Sequence, residues 1–456
     1  MKKMHIPRIL ALGVTGALFA SSMVFTPTVA HAAGTGINDF DGDGKVDVVT
    51  GSAPLVEETI GDVNVTYGNG RVASFTAEDL GYSRRDWEGE RIEDRFGIAL
   101  LAANLNGDAY ADLVVRDSGA IYLVYGSPGG LAAGGSQELE AADEGPIAVI
   151  PRPTPLLVAG IGRYSDAGHL NAGGLKLFPI DAQGKAGAGV MLTQNSPGVP
   201  GASESGDGFG LSIAADDTTL VVGAQWEAIG TTRAGAVTVL HRTGLTSFSG
   251  QMFHQNSPGV AGSNEKNDMF GAEVAIEDGW FAVGAPFESI GKASDTGEVH
   301  LFKYTATTAK PVRAFNQGTP GIPGSNEIRD RFGSGLAFVR PCAGQRGIAV
   351  YTSGEDNYDG RVTVVNLSTT ASCKNVAVGP TDLGLKKGNN FGGILAPLRA
   401  STDTTVRDSL LVAGSYKSPS SGEGGVLEVP YPYRTIVRGR GAYNSDWPAI
   451  SGAMAG

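Results

Sequence analysis

The stretch with the clearest capacity for chemistry is "DFDGDGKVDVV", residues 39–49, where an acidic segment runs into a series of valines. The acidic residues follow the spacing D-x-D-x-D-G-x-x-D and are Asp39, Asp41, Asp43 and Asp47. Calcium takes about six to eight oxygen ligands, which alternating carboxylates and one backbone carbonyl, here that of Lys45, can supply. Gly44 permits the tight turn that such a loop requires. The alternative is a solvated acidic turn without metal.

A second stretch, "NLNGDAYAD", has the same spacing with fewer charges. Its candidate ligands are Asn104, Asn106, Asp108 and Asp112, with the carbonyl of Tyr110. Two amides replace carboxylates and Ala109 replaces the turn glycine, so we expect weaker calcium binding than in the first loop. The same metal-free alternative remains open here. Later segments such as "ADDTTL" and "IEDGW" have lost the pattern, and we expect no metal there. Both predicted ions would be structural.

The elements that position these loops are internal repeats. A Phe-Gly pair is followed by an apolar run and then by a glycine-led alternating segment, and its phenylalanines are Phe209, Phe270, Phe332 and Phe391. They are spaced by 61, 62 and 59 residues. The segments "QNSPG", "QNSPG" and "QGTPG" place a proline 12 residues before three of them, at Pro197, Pro258 and Pro320. Such a fixed period indicates one structural module copied along the chain.

Each unit is predicted to form four strands, A to D: A at Phe-Gly, an apolar B, a glycine-led C and a more polar D. Sheets of this kind repeated radially form a β-propeller. We therefore predict an all-β fold, a seven-bladed β-propeller of four-stranded antiparallel blades over residues 33–456. The predicted blades lie near 37–70, 94–130, 145–195, 207–255, 268–316, 330–378 and 389–440. Unit one lacks strand A, which either residues 33–38 or part of the tail "RTIVRGRGAYNSDW" must supply.

"FG" followed by "VGAQ" or "VGAP", with an acidic loop in some units, resembles the FG-GAP repeat of integrin α-subunit propellers and of secreted bacterial integrin-like proteins. The resemblance covers residues 33 to about 435. It implies a seven-bladed propeller with calcium in some A–B loops, which are the positions of both acidic segments. It also implies ligand binding on the opposite face. The same repeat accompanies catalytic domains in phospholipase D-like proteins, but no separate domain of that kind is visible in this sequence.

Residues 1–32 are predicted to be a secretory signal peptide, with a basic start, the apolar segment "ILALGVTGALFASSMVF" and "AHA" before Ala33. A short membrane span is the alternative. Without these residues, 32 Lys+Arg stand against 47 Asp+Glu, a formal charge of −15. This balance argues against nucleic acid or an anionic membrane as partner. We expect a secreted, extracellular monomer without a membrane span.

Cys342 and Cys373 are expected to form a disulfide, with two free buried thiols as the alternative.

The sequence offers no positive evidence for an enzyme. It contains no G-x-S-x-G, H-E-x-x-H or P-loop motif. After the signal peptide the histidines are His169, His241, His254 and His300, which do not form a metal-ligand motif. A pair of catalytic carboxylates defined only in space remains open, as in glycoside hydrolases.

The face opposite the acidic loops is the candidate binding surface. B–C loops begin near an aromatic residue in four units: Tyr164, Trp226, Phe287 and Tyr416. Such rings can stack on sugars or anchor a peptide, with Glu227 and Glu288 as hydrogen-bond acceptors. The alternative is that the rings wedge between adjacent blades.

We predict a calcium-binding, integrin-like module for adhesion to an extracellular protein or glycan. A lectin-like propeller and a secreted hydrolase of phosphodiesters or glycosides are the alternatives.

Overall fold

The computed structural model contains seven antiparallel sheets of four strands each, which follow one another along the chain. It describes residues 38–52, 61–82, 95–141, 143, 145–368, 373–385, 391–399, 407–414, 425–430, 438–440 and 454–455. The innermost strands of successive sheets contact one another in cyclic order, and the last contacts the first. The predicted all-β, seven-bladed propeller is confirmed. The predicted signal peptide lies outside the described residues.

Strands A to D, counted outward from the ring centre, have the following bounds. Blade 1 contains Met454–Ala455, Val48–Ser52, Asp62–Thr66 and Val72–Phe75. Blade 2 contains Ala99–Ala103, Asp112–Arg116, Ala120–Val124 and Ser136–Glu140. Blade 3 contains Ile147–Ile150, Leu156–Ile161, Gly174–Pro179 and Val190–Leu192. Blade 4 contains Ser212–Asp216, Thr219–Ala224, Ala236–Arg242 and Phe248–Phe253.

Blade 5 contains Glu273–Glu277, Trp280–Ala285, Glu298–Tyr304 and Ala309–Phe315. Blade 6 contains Phe332–Cys342, Gln345–Thr352, Arg361–Asn366 and Val376–Val378. Blade 7 contains Ile394–Leu398, Ser409–Gly414, Gly425–Pro430 and Arg438–Arg440. Three short elements complete the described structure: the ribbon Ala228–Ile229/Thr232–Arg233, the α-helical turn Glu355–Tyr358 and the 3-10 turn Pro380–Leu383.

The burial of the strands follows their position in the blade. Strand B of blade 4, Thr219–Ala224, is buried at every residue because both of its faces are covered by neighbouring blades. Strand D of blade 5, Ala309–Phe315, mixes buried and exposed positions at the outer edge. The outer strands of blades 1 and 2 lie beyond the predicted ends near 70 and 130, because a turn and a further strand follow strand C in each blade.

The repeated "FG" and "VGA" segments meet at the interfaces of blades 4 and 5 and of blades 5 and 6. Gly223 in strand B of blade 4 lies against Gly271, which follows the phenylalanine that opens blade 5. A Cβ atom at Gly223 would lie 2.0 Å from the Gly271 carbonyl oxygen. Gly284 has the same relation to Gly333, where the corresponding distance is 2.3 Å. Glycine at these positions allows the two backbones to approach, which explains why the two sequence motifs recur together.

The ring is closed by the C-terminal end of the chain. Met454–Ala455 pairs antiparallel with Val48–Ser52 and becomes strand A of blade 1. Both predicted sources of this strand were therefore wrong. Arg438–Arg440, within the proposed tail segment, instead forms the outer strand of blade 7. The pairing joins strands from opposite ends of the chain, so strand order alone could not assign it.

Cys342 and Cys373 form a disulfide in blade 6, with their Cα atoms 6.0 Å apart. The bond connects the end of strand A to the segment before strand D, across 31 residues of sequence. Among the described residues, no helix is long and apolar enough to cross a membrane.

Candidate functional site

The acidic loop of residues 39–47 brings three of its aspartates together. Asp39, Asp41 and Asp43 each provide a carboxylate oxygen, and these oxygens lie within 4.8 Å of one another. Within the described ranges, this is the one group of three or more His, Cys, Asp or Glu side chains with such spacing. An all-oxygen, negatively charged set is what a hard cation such as calcium prefers. The residues present therefore fit the predicted ion.

The backbone of this loop folds around Asp39. Its Oδ1 accepts hydrogen bonds from the amides of Gly42, at 2.6 Å, and Asp43, at 3.1 Å. Its Oδ2 accepts one from the amide of Gly44, at 2.8 Å. Gly42 and Gly44 have φ values of 75° and 79°, in the left-handed region that glycine adopts readily. These bonds hold the three carboxylates on one side of the turn.

One basic side chain reaches the edge of this group. Arg71 donates a hydrogen bond to Asp41 Oδ2 at 3.2 Å, and Asn69 donates to the same oxygen at the same distance. The Arg71 guanidinium also stacks on the Tyr67 ring, 3.6 Å from its centroid. A single exposed guanidinium offsets only part of the charge of three carboxylates.

Asp47, the fourth aspartate of the motif, does not join the group. Its side chain is fully buried, and its two oxygens accept hydrogen bonds of 2.7 Å from the amides of Phe40 and Gly68. Burial raises the pKa of Asp47 to about 6, although the two amides oppose that rise. In this arrangement Asp47 fastens the loop to the turn after strand C. The carbonyl of Lys45 lies within the same loop, and its amide donates to Asp43 Oδ1.

The second loop, in the hairpin between strands A and B of blade 2, has the same framework. Asn104 Oδ1 accepts from the Gly107 amide at 2.6 Å, as Asp39 does from Gly42. Buried Asp112 accepts from the amides of Leu105, at 2.8 Å, and Gly126, at 3.0 Å. Burial raises the pKa of Asp112 to about 6. The buried aspartate thus has one structural role in both loops.

The amides of the second loop also bind within the loop. Asn104 Nδ2 donates to the Asp108 carbonyl at 2.7 Å, and Asn106 Nδ2 donates to Asp108 Oδ2 at 2.9 Å. Asp108 Oδ1 accepts from the amide of Tyr110 at 2.8 Å. In this loop the single central carboxylate, that of Asp108, therefore accepts hydrogen bonds from neutral amide groups of the loop itself.

The two loops pack against each other. The Asp39 carbonyl accepts from the Ala111 amide at 2.8 Å, and the Phe40 carbonyl accepts from Ser127 at 3.1 Å. The Tyr110 ring covers Gly42, where an added Cβ would lie 2.5 Å from Tyr110 Cε1. The first loop was expected to be an A–B loop, that is, a hairpin that joins strands A and B of its blade. It is not one, because strand A of its blade comes from the C-terminal end.

On the opposite face, the predicted aromatic residues are half-buried. The Trp226 ring lies against Gly208, whose added Cβ would be 3.1 Å from Trp226 Cε3. The Arg331 guanidinium of the following blade lies 4.8 Å from the centroid of Phe287. Tyr164 is half-buried near Gly174. The Phe287 contact joins blade 5 to the connection into blade 6, whereas the Trp226 contact lies within blade 4. Tyr416 lies outside the described residues.

Glu227 and Glu288 do not present carboxylates to the surface. They are 4% and 5% exposed, and each accepts a hydrogen bond from a glutamine of the preceding blade connection. The Nε2 atoms of Gln194 and Gln255 donate at 2.7 Å and 2.5 Å. Burial raises the pKa of each glutamate to about 7. The sequence signal for the glutamines was visible, because they open the repeated "QNSPG" segments in which only the proline was interpreted.

The B–C loops themselves extend into short ordered ribbons in three consecutive blades. The ribbons are the pair Asp166–His169, the strands Ala228–Ile229 and Thr232–Arg233, and the pair Ile290–Ala293. At the end of each ribbon, or one residue after it, a backbone carbonyl accepts a hydrogen bond from an amide of the next blade connection. These carbonyls belong to Leu170, Arg233 and Ser294, with distances of 2.9, 2.8 and 2.9 Å. Blades 3 to 5 therefore share a continuous, hydrogen-bonded surface, which we call the ribbon face.

The FG-GAP repeat family model matches residues 199–240, which span the connection to blade 4 and its first three strands. The chain carries an FG-GAP repeat in a seven-bladed β-propeller. A search of curated proteins finds no match. Among solved structures, the Dos1 propeller is 12% identical, with a TM-score of 0.45, over 93% of this chain and 90% of that one. A putative 6-phosphogluconolactonase from Bacteroides fragilis is 11% identical, with a TM-score of 0.42, over 90% of this chain and 98% of that one.

Proposed function

We propose that this FG-GAP propeller is a secreted module that binds an extracellular protein or glycan through its ribbon face. Calcium stabilises the opposite side. The single observation that supports the binding role is the ribbon face itself. Three adjacent blades elaborate the same loop, and each elaboration is tied to the next blade connection by a backbone hydrogen bond. A surface ordered in this way loses little conformational entropy when a ligand binds.

Two apolar side chains on this face are available for contact. Leu170, directly after the blade 3 ribbon, is 68% exposed, and Ile328, in the connection to blade 6, is 64% exposed. Single exposed apolar residues are common on protein surfaces. Their place beside the ordered ribbons makes them the first residues to test. The half-buried Trp226 and Phe287 would then support the ribbons from below rather than contact the ligand.

The test is a binding screen of the purified protein on glycan and extracellular-protein arrays. Leu170→Asp and Ile328→Asp are expected to reduce any specific signal at least tenfold. Leu245→Asp is the matched control, because Leu245 is 59% exposed in the C–D turn of blade 4, on the opposite face. An equal loss in the control, or no loss in the two ribbon-face variants, would refute the assignment. Whether glycans or proteins give the signal decides between the lectin-like and protein-binding alternatives.

For the metal, we propose that calcium binds between Asp39, Asp41, Asp43 and the Lys45 carbonyl. The supporting observation is the convergence of three carboxylates with Arg71 as a partial counter-charge. When bound, the ion would supply positive charge and fix the loop. A weaker second site would use Asn104, Asn106, Asp108 and the Tyr110 carbonyl after the internal amide bonds rearrange. Asp47 and Asp112 would orient these loops through their backbone contacts.

A further inference from the structure

A second acidic arrangement recurs at three consecutive blade interfaces, far along the sequence from the acidic loops. Each copy contains a buried glutamine, a buried glutamate and a buried aspartate. The copies are Gln194, Glu227 and Asp207 at blade 4, Gln255, Glu288 and Asp268 at blade 5, and Gln317, Glu355 and Asp330 at blade 6. We refer to these as the interface pockets of blades 4, 5 and 6.

The hydrogen bonds are the same in each pocket. The glutamine Nε2 donates to the glutamate Oε2, at 2.7, 2.5 and 2.6 Å in blades 4, 5 and 6. The aspartate Oδ2 accepts from the backbone amide three residues earlier, at 2.6, 2.7 and 2.7 Å. One carboxylate oxygen of each acid is thus used for fixing the pocket. An arrangement repeated in such detail through three copies is a defined structural feature of the module.

Each pocket also contains a buried polar atom that has no partner within the described part of the chain. The Oε1 atoms of Gln194, Gln255 and Gln317 accept no hydrogen bond from the described residues, although these side chains are only 1–2% exposed. Since Oε1 and Nε2 share one carbon, the oxygen lies beside the carboxylate that the nitrogen contacts. A buried acceptor left without a partner destabilises the folded protein. An oxygen aimed beside a carboxylate is suited to a cation.

The blade 6 pocket shows what compensates this negative charge. Arg361 Nη1 lies 3.1 Å from Glu355 Oε1, the oxygen that the glutamine does not use. Arg361 is the first residue of strand C and pairs with Thr352 in strand B. The residues at the same register are Ala236, opposite Ala224, and Glu298, opposite Ala285.

Among the described residues, the other two pockets therefore have no arginine at the position of Arg361. In blade 4 the charged groups that act on Glu227 are Asp207 and Glu204, which are both negative. In blade 5 the charges acting on Glu288 are Asp268, Glu298 and Glu265, which are also negative. Arg233 and His169 both act on Asp207 in blade 4, but Arg233 donates its hydrogen bond to the Ser205 carbonyl. Buried carboxylates without a counter-charge are costly to fold.

We propose that the blade 4 and blade 5 pockets each bind a hard cation of the calcium class, through the glutamine Oε1 and the glutamate and aspartate carboxylates. In blade 6 the Arg361 guanidinium supplies the positive charge at Glu355 instead of an ion, while Gln317 Oε1 keeps no partner among the described residues. The two sites are independent of the acidic loops of blades 1 and 2. Their role is to join adjacent blades, because the glutamine and the glutamate belong to successive blades.

The test counts calcium ions bound per chain by isothermal titration calorimetry with CaCl2 on chelator-treated protein. Glu227→Gln and Glu288→Gln preserve shape and are each expected to remove one ion. Asp43→Asn removes only the loop ion, which separates these sites from the proposed loop site. Ala236→Arg imitates blade 6 and is expected to remove the blade 4 ion while the protein remains folded. Arg361→Gln is the reciprocal variant and is expected to add one ion.

Unchanged ion counts in Glu227→Gln and Glu288→Gln would overturn the proposal and would leave an ordered water as the partner of the amide oxygen. If these variants fail to fold, crystals of the unaltered protein soaked in TbCl3 provide the second measurement. Anomalous peaks are expected beside Gln194 and Gln255 and not beside Gln317. No peak at the first two, or equal peaks at all three, would overturn the proposal as well.

Discussion

The loops of residues 39–47 and 104–112 share one backbone framework but balance their charge differently. Each is anchored by a buried aspartate that accepts two amides, Asp47 in one and Asp112 in the other. In the first loop three carboxylates converge. In the second, Asn106 donates to the single central carboxylate, that of Asp108, and Asn104 donates to the Asp108 carbonyl, so less negative charge is left for a cation to compensate. The hydrogen bonds that anchor the loop backbone therefore do not depend on the carboxylates proposed to bind metal. Substitutions can test the anchoring and the metal binding separately.

The largest effect is expected from removing the anchors. Asp112→Ala leaves the amides of Leu105 and Gly126 without their acceptor, and both bonds are buried. We expect the free energy of unfolding to fall by about 2–5 kcal/mol. Asp47→Ala should cost less, because the Gly68 amide is only partly buried. Urea unfolding in calcium-free buffer measures both.

Asp→Asn at the same two positions is the matched control for these anchor variants, because it keeps one acceptor oxygen and should cost less than alanine in each loop. A loss below about 1 kcal/mol in Asp112→Ala would show that the amides find other acceptors. An equal cost in both loops would remove the distinction between the two anchors.

The next effect comes from the ion. For each occupied site, calcium at about 100 times its Kd should add about 2.7 kcal/mol to the free energy of unfolding. Asp43→Asn should remove most of the part due to the first loop, because it neutralises one of three convergent carboxylates. Asp108→Asn should change calcium stabilisation little, since that loop already bonds internally. Thermal melting with and without chelator, on both variants, measures the difference.

If Asp43→Asn and Asp108→Asn lose calcium stabilisation equally, the proposed ranking of the two loops is wrong. If Asp43→Asn loses none, calcium does not bind at the first loop. Glu227→Gln leaves both loops intact, so any calcium stabilisation that it loses belongs to the blade 4 interface pocket and is subtracted from the comparison of the loops.

A gain-of-function variant sharpens the comparison further. Asn104→Asp combined with Asn106→Asp gives the second loop the charge pattern of the first. We expect its calcium affinity to rise about tenfold, which corresponds to about 1.4 kcal/mol. Stability without calcium should fall, because two amide donors are replaced by repelling carboxylates. Calorimetry and urea unfolding on the same samples measure both changes, and a gain in affinity without a loss of stability would contradict the charge argument.

The sequence was sufficient for the fold because the signals were local and repeated. The Phe-Gly and Val-Gly-Ala segments predicted strands, and their contact across blade interfaces follows from glycine chemistry at Gly223 and Gly271. The acidic spacing likewise predicted that Asp39, Asp41 and Asp43 converge. These are consequences of residues close in the chain or equivalent between copies.

What the sequence did not reveal depends on contacts between distant segments. The closing strand Met454–Ala455 carries no Phe-Gly signal, and its partner lies at the other end of the chain. The turning of Asp47 towards Gly68, and the burial of Glu227 by Gln194, require the three-dimensional packing. Spacing alone assigns an acidic residue to a loop but does not determine which of its possible donors it meets.

The smallest expected effect isolates the backbone of the two turns. Gly44 has a φ of 79°, and no atom lies within 4 Å of the place that a Cβ would occupy, so Gly44→Ala strains the backbone without a clash. The cost should be about 1–2 kcal/mol. Ala109→Gly, at the matching position of the second loop, should cost about 0.5–1 kcal/mol through unfolded-chain entropy. Urea unfolding without calcium compares them. A stabilising effect of Ala109→Gly would mean that the second turn also favours the left-handed conformation, and that the loops differ in charge alone.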